Sequence, residues 1–345
     1  MTPELPKSDL EEIVSTTRPL WEEVRGKRVF LTGGTGFFGS WLLESFLHAN
    51  EALALNAGMT VLSRDPAKFL SGRPHLSNRE GLVFQSGDVR NFEFPEGGFE
   101  YVIHGATEVT ASASEGDPLS MLDTCIQGTR RVLDFAVGAG CRKFLVTSSG
   151  AVYGRQPDHL THLPESYQGA PDPTHPASAY GEGKRVSELL CSAYARVHGI
   201  ECKIARCFAF VGPLLPLNTH FAIGNFIRDA LAGREIHIKG DGSPERSYLY
   251  ASDLAIWLWT LLFAGESNVA YNVGSSDAMP VREVAERVAR AFDRDIEINI
   301  ANAPVAGQRV SRYVPDTTRA VEELGLSQKV NFDEAIERTI AWCAR

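Results

Sequence analysis

Tyr180 and Lys184 stand four residues apart in Tyr180-Gly181-Glu182-Gly183-Lys184, a spacing that sets both side chains next to each other on one face of a helix. A free phenol has a pKa of about 10 and is a weak base at neutral pH. A neighbouring ammonium favours the phenolate and lets the pair take a proton from an alcohol. Ser149 follows the strand-like run Phe144–Ser148 and can hydrogen-bond the same substrate oxygen. An isolated tyrosine and lysine at this spacing describe a solvated helix face. The serine, and a glycine loop far upstream, shift the reading towards catalysis.

That loop is Thr32-Gly33-Gly34-Thr35-Gly36-Phe37-Phe38-Gly39. It follows the apolar run Arg28–Leu31 and opens into Trp41–Leu47, whose spacing suits a helix. Strand, glycines and helix in that order suit a diphosphate: the backbone turns tightly at Gly33 and Gly36, and the new helix from Phe37, Phe38 and Gly39 aims unpaired N–H groups at the anion.

Several elements must bring these groups together. Short apolar runs at Met59–Ser63, Gly81–Gln85, Tyr101–His104, Lys143–Thr147 and Glu201–Phe208 read as strands. Helical patterns at Pro118–Ala139 and Ala179–His198 alternate with them, which predicts an α/β fold with a Rossmann-type, doubly wound parallel sheet. Residues 1–25 are expected to form an N-terminal helical extension, lying on the surface. Residues 26–211 are expected to form the dinucleotide-binding domain. Residues 212–345 read as a smaller, mixed α/β substrate-binding region with some segments returning to the core. The stretch Gly154–Ala177, rich in proline, histidine and glycine, reads as a lid or substrate-side loop.

The chain has 345 residues, 43% of them hydrophobic, enough for a large core. A formal net charge of −9 argues against nucleic acid as a partner. The longest apolar stretch, Leu254–Ala264, has the length of a buried helix and not of a membrane span. Residues Met1–Leu20 lack the apolar core of a signal peptide, so a cytoplasmic protein is expected. The six cysteines, at 125, 141, 191, 202, 207 and 343, have no CxxC spacing and read as thiols, with no metal site expected.

Together these motifs resemble the extended short-chain dehydrogenase/reductases, specifically the nucleotide-sugar epimerases and dehydratases. The resemblance runs from Gly26 to Trp342. It rests on Thr32–Gly39, Gly87-Asp88-Val89-Arg90, Thr147-Ser148-Ser149-Gly150-Ala151-Val152-Tyr153-Gly154, Tyr180–Lys184, Gly240–Arg246 and the ending Pro315-Asp316 to Trp342. It implies that Asp88 and Val89 hold the adenine end and that Gly105, Ala106 and Thr147 line the cofactor. Ser149, Tyr180 and Lys184 would form the catalytic group, with Lys184 also gripping the nicotinamide ribose. Arg246 would bind the diphosphate of a nucleotide-diphosphate sugar, assisted by Arg309 or Arg312. The implied chemistry is transient oxidation of the sugar, at C4, followed by inversion, elimination, decarboxylation or reduction of the ketone. The family also implies a homodimer packed through helices here at Pro118–Ala139 and Ala179–His198.

Departures from the family pattern narrow the reaction. Where the sugar 4,6-dehydratases carry an Asp-Glu pair, and the sugar-acid decarboxylases keep the glutamate, this chain has Gly150 and Ala151, neither of which transfers a proton. Epimerisation is therefore the leading expectation; the alternatives are NADPH-dependent reduction of a 4-keto sugar, an atypical dehydratase or decarboxylase lacking the Asp-Glu pair, and, behind these, a non-catalytic dinucleotide-sensing protein. Cys125 and Ala209 replace asparagines that the family usually has. At the tip of the second strand, where NAD-preferring domains place an acid, stand Ser63 and Arg64 with Asp65 after them. Those residues favour NADP, epimerase kinship favours NAD, and the sequence leaves both open.

Overall fold

In the computed structural model, which describes residues 2–107, 117–219, 221–305, 307 and 309–345, the core is a seven-stranded sheet. Its strands are β1 (Arg28–Thr32), β2 (Gly58–Ser63), β3 (Leu82–Ser86), β4 (Tyr101–His104), β5 (Lys143–Ser149), β6 (Glu201–Cys207) and a last strand, Ala270–Val273. They lie in the order Ala270–Val273, β6, β5, β4, β1, β2, β3, and every pairing is parallel. The order reverses between β1 and β4, so the sheet is the doubly wound one expected, with a crevice where the two halves diverge.

Successive side chains of a strand face opposite sides, and the core divides accordingly. Val29, Leu31, Tyr101, Ile103, Leu145 and Ala205 pack into the layer holding α1 (Lys7–Thr16), α2 (Phe37–Ala52) and a long apolar helix, Ala251–Ala264. Phe30, Val102, Phe144, Val146 and Ile204 pack into the opposite layer, with the helices Pro118–Gly138 and Ala179–His198. Because both faces are covered, β4 and β5 are buried at every residue, the polar Lys143, Thr147, Ser148 and Ser149 included. Among the described residues no helix is long and apolar enough to cross a membrane.

Three elements differ from expectation. The N-terminal segment is not a surface helix: Ile13, Val14, Trp21 and Val24 are buried, and the Trp21 ring lies 4.8 Å from that of Trp259. Asp9 of α1, itself buried, accepts hydrogen bonds from the Tyr250 hydroxyl (2.7 Å) and from Arg338 (2.6 Å). The proline-rich stretch after Gly154 does not reach the main cavity. It is stitched to later segments instead, through Leu163 N–H to the Val314 carbonyl (2.9 Å), Asp316 N–H to the Leu163 carbonyl (2.9 Å) and Asn272 N–H to Glu165 (2.9 Å). The strand Ala270–Val273, unread in the sequence, completes the sheet beside β6.

Beyond β6 the remaining strands are two or three residues long. One small sheet sets Glu245–Arg246 between Met279–Pro280 and Arg312–Tyr313. In it Arg312 pairs with Glu245 and Tyr313 with Arg246, in parallel.

Candidate active site

The carboxyl ends of the strands open into one cavity of about 940 Å³. Gly33, Gly36, Phe37, Phe38 and Gly39 form one end of its lining, and Ser63, Arg64, Asp88 and Val89 one side. Gly105, Ala106, Thr147, Ser149, Tyr180 and Lys184 line the middle, and Arg246, Tyr248 and Tyr313 the far end.

The glycine end fits a dinucleotide. Gly33 has φ +74°, and a Cβ there would lie 2.5 Å from the carbonyl carbon of Gly105, so only glycine allows the β1 and β4 loops to meet. Helix α2 begins at Phe37 with Gly36 as its N-cap and no side-chain cap, which leaves its first N–H groups pointing at the cavity mouth. The loop after β4 is held from below. His104, 2% exposed, is linked to Thr32 Oγ1 through Nδ1 (2.8 Å) and to Thr129 Oγ1 through Nε2 (3.1 Å), and Ala106 N–H donates to the same Thr32 oxygen (3.2 Å). Burial and the nearby Lys184 push the His104 pKa down to about 3, so the imidazole is neutral.

The catalytic candidates converge at the end of β5 and the start of the helix Ala179–His198. That helix is fixed one turn below Lys184 by Glu188, which accepts from Ser148 Oγ (2.5 Å) and pairs with Arg206 of β6 (2.7 Å). The Lys184 ammonium donates to the Thr147 carbonyl (2.7 Å) and lies 5.9 Å from the centre of the Tyr180 ring. Burial lowers the Lys184 pKa and raises that of Tyr180, while a hydrogen bond from Ser149 opposes the rise at Tyr180. Without ligands the phenol is therefore protonated, and a positive charge brought in by a ligand is what would release its proton.

Tyr313 is the residue that sequence reasoning missed. Its hydroxyl lies 3.5 Å from Ser149 Oγ, so the serine sits between two phenols. Enclosure pushes the Tyr313 pKa up to about 12, keeping it a neutral donor. Gly150 is part of the same arrangement: a Cβ there would come within 2.7 Å of the Tyr313 hydroxyl and 2.8 Å of the Phe208 ring. The position where dehydratases carry an aspartate is thus filled by aromatic rings. No local signal marks Tyr313, because its placement depends on pairing with a strand 67 residues earlier.

The arginines separate by the same pairing. Arg246 and Tyr313, register partners, both line the cavity. Arg312, one residue earlier, faces the other way and pairs with Glu245 (2.6 Å), as alternation requires. Arg309 is 73% exposed in side chain and pairs with Asp158 (3.0 Å). Arg309 and Arg312, expected beside Arg246, therefore lie outside the cavity lining. Ala209 lines it, whereas Cys125 is buried under Thr107 and Gly183. None of the six cysteines forms a disulfide. Among the described residues no three His, Cys, Asp or Glu side chains cluster as a metal site.

Comparison with known proteins places these features. Residues 29–274 match the pattern of the "NAD dependent epimerase/dehydratase family". The chain is 32% identical over 312 residues to UDP-glucuronic acid decarboxylase 6 of Arabidopsis thaliana, covering 90% of this chain and 86% of that protein. It is 25% identical to a dTDP-glucose 4,6-dehydratase of Streptomyces niveus, over 91% of this chain and 92% of that one. Among solved structures, the dTDP-glucose 4,6-dehydratase DesIV of Streptomyces venezuelae with NAD bound superposes with a TM-score of 0.78 at 25% identity, covering 92% of this chain and 97% of that one. The UDP-glucose 4-epimerase of Thermotoga maritima shares the fold, with a TM-score of 0.75 at 24% identity over 92% and 98% of the two chains.

Proposed function

The chain belongs to the NAD dependent epimerase/dehydratase family, and we propose that within it the protein is a nucleotide-sugar epimerase that oxidises the sugar transiently at C4. Its relatives modify UDP- and dTDP-sugars, and a nucleotide-sugar modifying enzyme using NAD(P) is what family and site have in common. When bound, the nicotinamide would accept a hydride from the sugar carbon and return it.

The protein's own residues supply the rest. Arg246, at the far end of the cavity, is placed to meet the diphosphate of the sugar nucleotide with a fixed guanidinium. Tyr180 takes the proton of the sugar hydroxyl as the carbon loses its hydride, leaving a ketone, and gives the proton back on the return step. Ser149 holds the reacting oxygen towards Tyr180. Lys184, buried and anchored on the Thr147 carbonyl, adds positive charge beneath the phenol.

The observation that carries the reading is the filling of the Gly150 position by Tyr313 and Phe208. With Ala151 next to it, this leaves no carboxylic acid beside Ser149 and Tyr180 in the lining. The ketone is therefore returned as an alcohol, without elimination through an acid pair. The 32% identity to a UDP-glucuronic acid decarboxylase supports a further reading, decarboxylation of a C4-oxidised sugar acid by a site without the acid pair. A second reading, reduction of a 4-keto sugar, is favoured by Ser63 and Arg64 at the adenosine end.

The test is to incubate purified protein with UDP- and dTDP-hexoses and follow the sugar ring by NMR. Appearance of the C4 epimer without net consumption of dinucleotide is expected. Steady oxidation of NADPH with a keto sugar and no epimer would replace this reading by the second.

A further inference from the structure

The adenosine end of the cavity is built from the tips of β2 and β3. A ribose diol is usually held there by a carboxylate at the tip of β2, which accepts from both hydroxyls. In this protein the tip residue is Ser63, 7% exposed, with Arg64 following, and both line the cavity. The next acid, Asp65, is committed elsewhere. Its Oδ1 accepts from Lys68 N–H (2.9 Å) and caps the helix Pro66–Gly72, and Asp65 is not part of the lining.

The acid that does line this end, Asp88, is neutralised. Arg90 grips it through two guanidinium contacts (2.8 and 3.0 Å) and through its backbone N–H (2.9 Å). That grip holds the Asp88 carboxyl below the usual range, and Arg64 adds to the effect through its charge. The guanidinium of Arg64 is thus the cation that lines this end, and the carboxylate beside it, Asp88, is already held by Arg90, in the region where a 2′-substituent would lie.

We propose that this end recognises a 2′-phosphate, so that the protein takes NADP(H) in preference to NAD(H). Arg64 meets the phosphate as a planar guanidinium, and the Ser63 hydroxyl donates to it. The inference rests on reading Thr32–Gly39 as the dinucleotide cradle, but not on the fate of the sugar.

Binding tests it without turnover. Titration calorimetry with NADP+ and NAD+, repeated with 2′,5′-ADP and 5′-ADP, should give 2′-phosphorylated ligands an advantage of about tenfold or more. Arg64→Ala, a change at an exposed side chain, should cut NADP+ affinity about tenfold while leaving NAD+ within about twofold. Raising the salt concentration should erode the NADP+ preference. Equal or tighter binding of NAD+ by the unaltered protein would overturn the proposal, as would an Arg64→Ala variant that loses both ligands alike. A protein that prefers NAD+ yet interconverts nucleotide sugars would refute this inference alone. One that prefers NADP+ and leaves every nucleotide sugar untouched would refute only the epimerase reading.

Discussion

The hydroxyl of Tyr313 lies 3.5 Å from Ser149 Oγ, although 164 residues separate the two in the chain. Ser149 also hydrogen-bonds Tyr180, so a single serine links the proposed base to a second phenol. Tyr313→Phe keeps the ring packed on Phe208, whose centre is 4.7 Å away, and removes only the hydroxyl. A neutral hydrogen bond contributes about 0.5–1.5 kcal/mol, so kcat should fall by up to about tenfold with dinucleotide affinity unchanged. Steady-state kinetics beside a binding titration would check this. An unchanged kcat would remove Tyr313 from the chemistry.

Tyr180→Phe should lower turnover by about 10²–10⁴, the range for loss of a general base, and leave dinucleotide binding nearly intact. Because burial holds the Tyr180 phenol above its ordinary range, the ligand-free protein should show no Tyr180 titration at neutral pH. Comparison of ultraviolet pH difference spectra of the native protein and the variant tests that statement. Full activity in Tyr180→Phe would end the catalytic assignment.

Restoring the acid pair should fail. Gly150→Asp must displace Tyr313 and Phe208, and overpacking of this kind costs about 1–3 kcal/mol. The double variant Gly150→Asp with Ala151→Glu should melt lower than the native protein and yield no 4-keto-6-deoxy product from a dTDP-hexose. Efficient dehydration by that variant would show that the aromatic rings are no obstacle.

His104 should limit stability in acid. Its folded-state pKa of about 3 lies below the ordinary histidine value, which is about 6.5 in an unfolded chain. The fold therefore favours the neutral ring. Its contribution is complete above pH ~6.5 and is lost as pH falls from there towards 3, by up to about 1.4 kcal/mol per pH unit. Denaturant unfolding at a series of pH values should show a shallower acid limb for His104→Gln. Identical limbs would mean that His104 is not the group titrating.

The strands β1 to β6 and the long helices were legible because each carries its own periodicity or apolar run. The pair Tyr180 and Lys184 was legible because a helix fixes their separation whatever the tertiary fold. Other features depend on partners distant in sequence. The strand Ala270–Val273 is four residues long and includes the buried polar Asn272, whose amide reaches Leu163 and Asp316. Polar charges in residues 8–25 concealed an apolar side that packs on α2 and on the helix Ala251–Ala264, where Trp21 meets Phe46 and Trp259. The direction of Arg312 was unreadable because a two-residue strand has no pattern of its own, and its pairing with Glu245–Arg246 alone decides which side chain turns inward.

That small sheet gears two properties together. Arg246 and Tyr313 face the cavity as register partners, so a one-residue slip of Arg312–Tyr313 would carry the phenol away from Ser149 and turn Arg312 inward in its place. Such a slip would in one step remove a donor from beside Ser149 and bring a second guanidinium next to Arg246. Grip at Arg246 and the hydroxyl at Tyr313 thus hang on one pairing, Tyr313 with Arg246, and not on two independent placements.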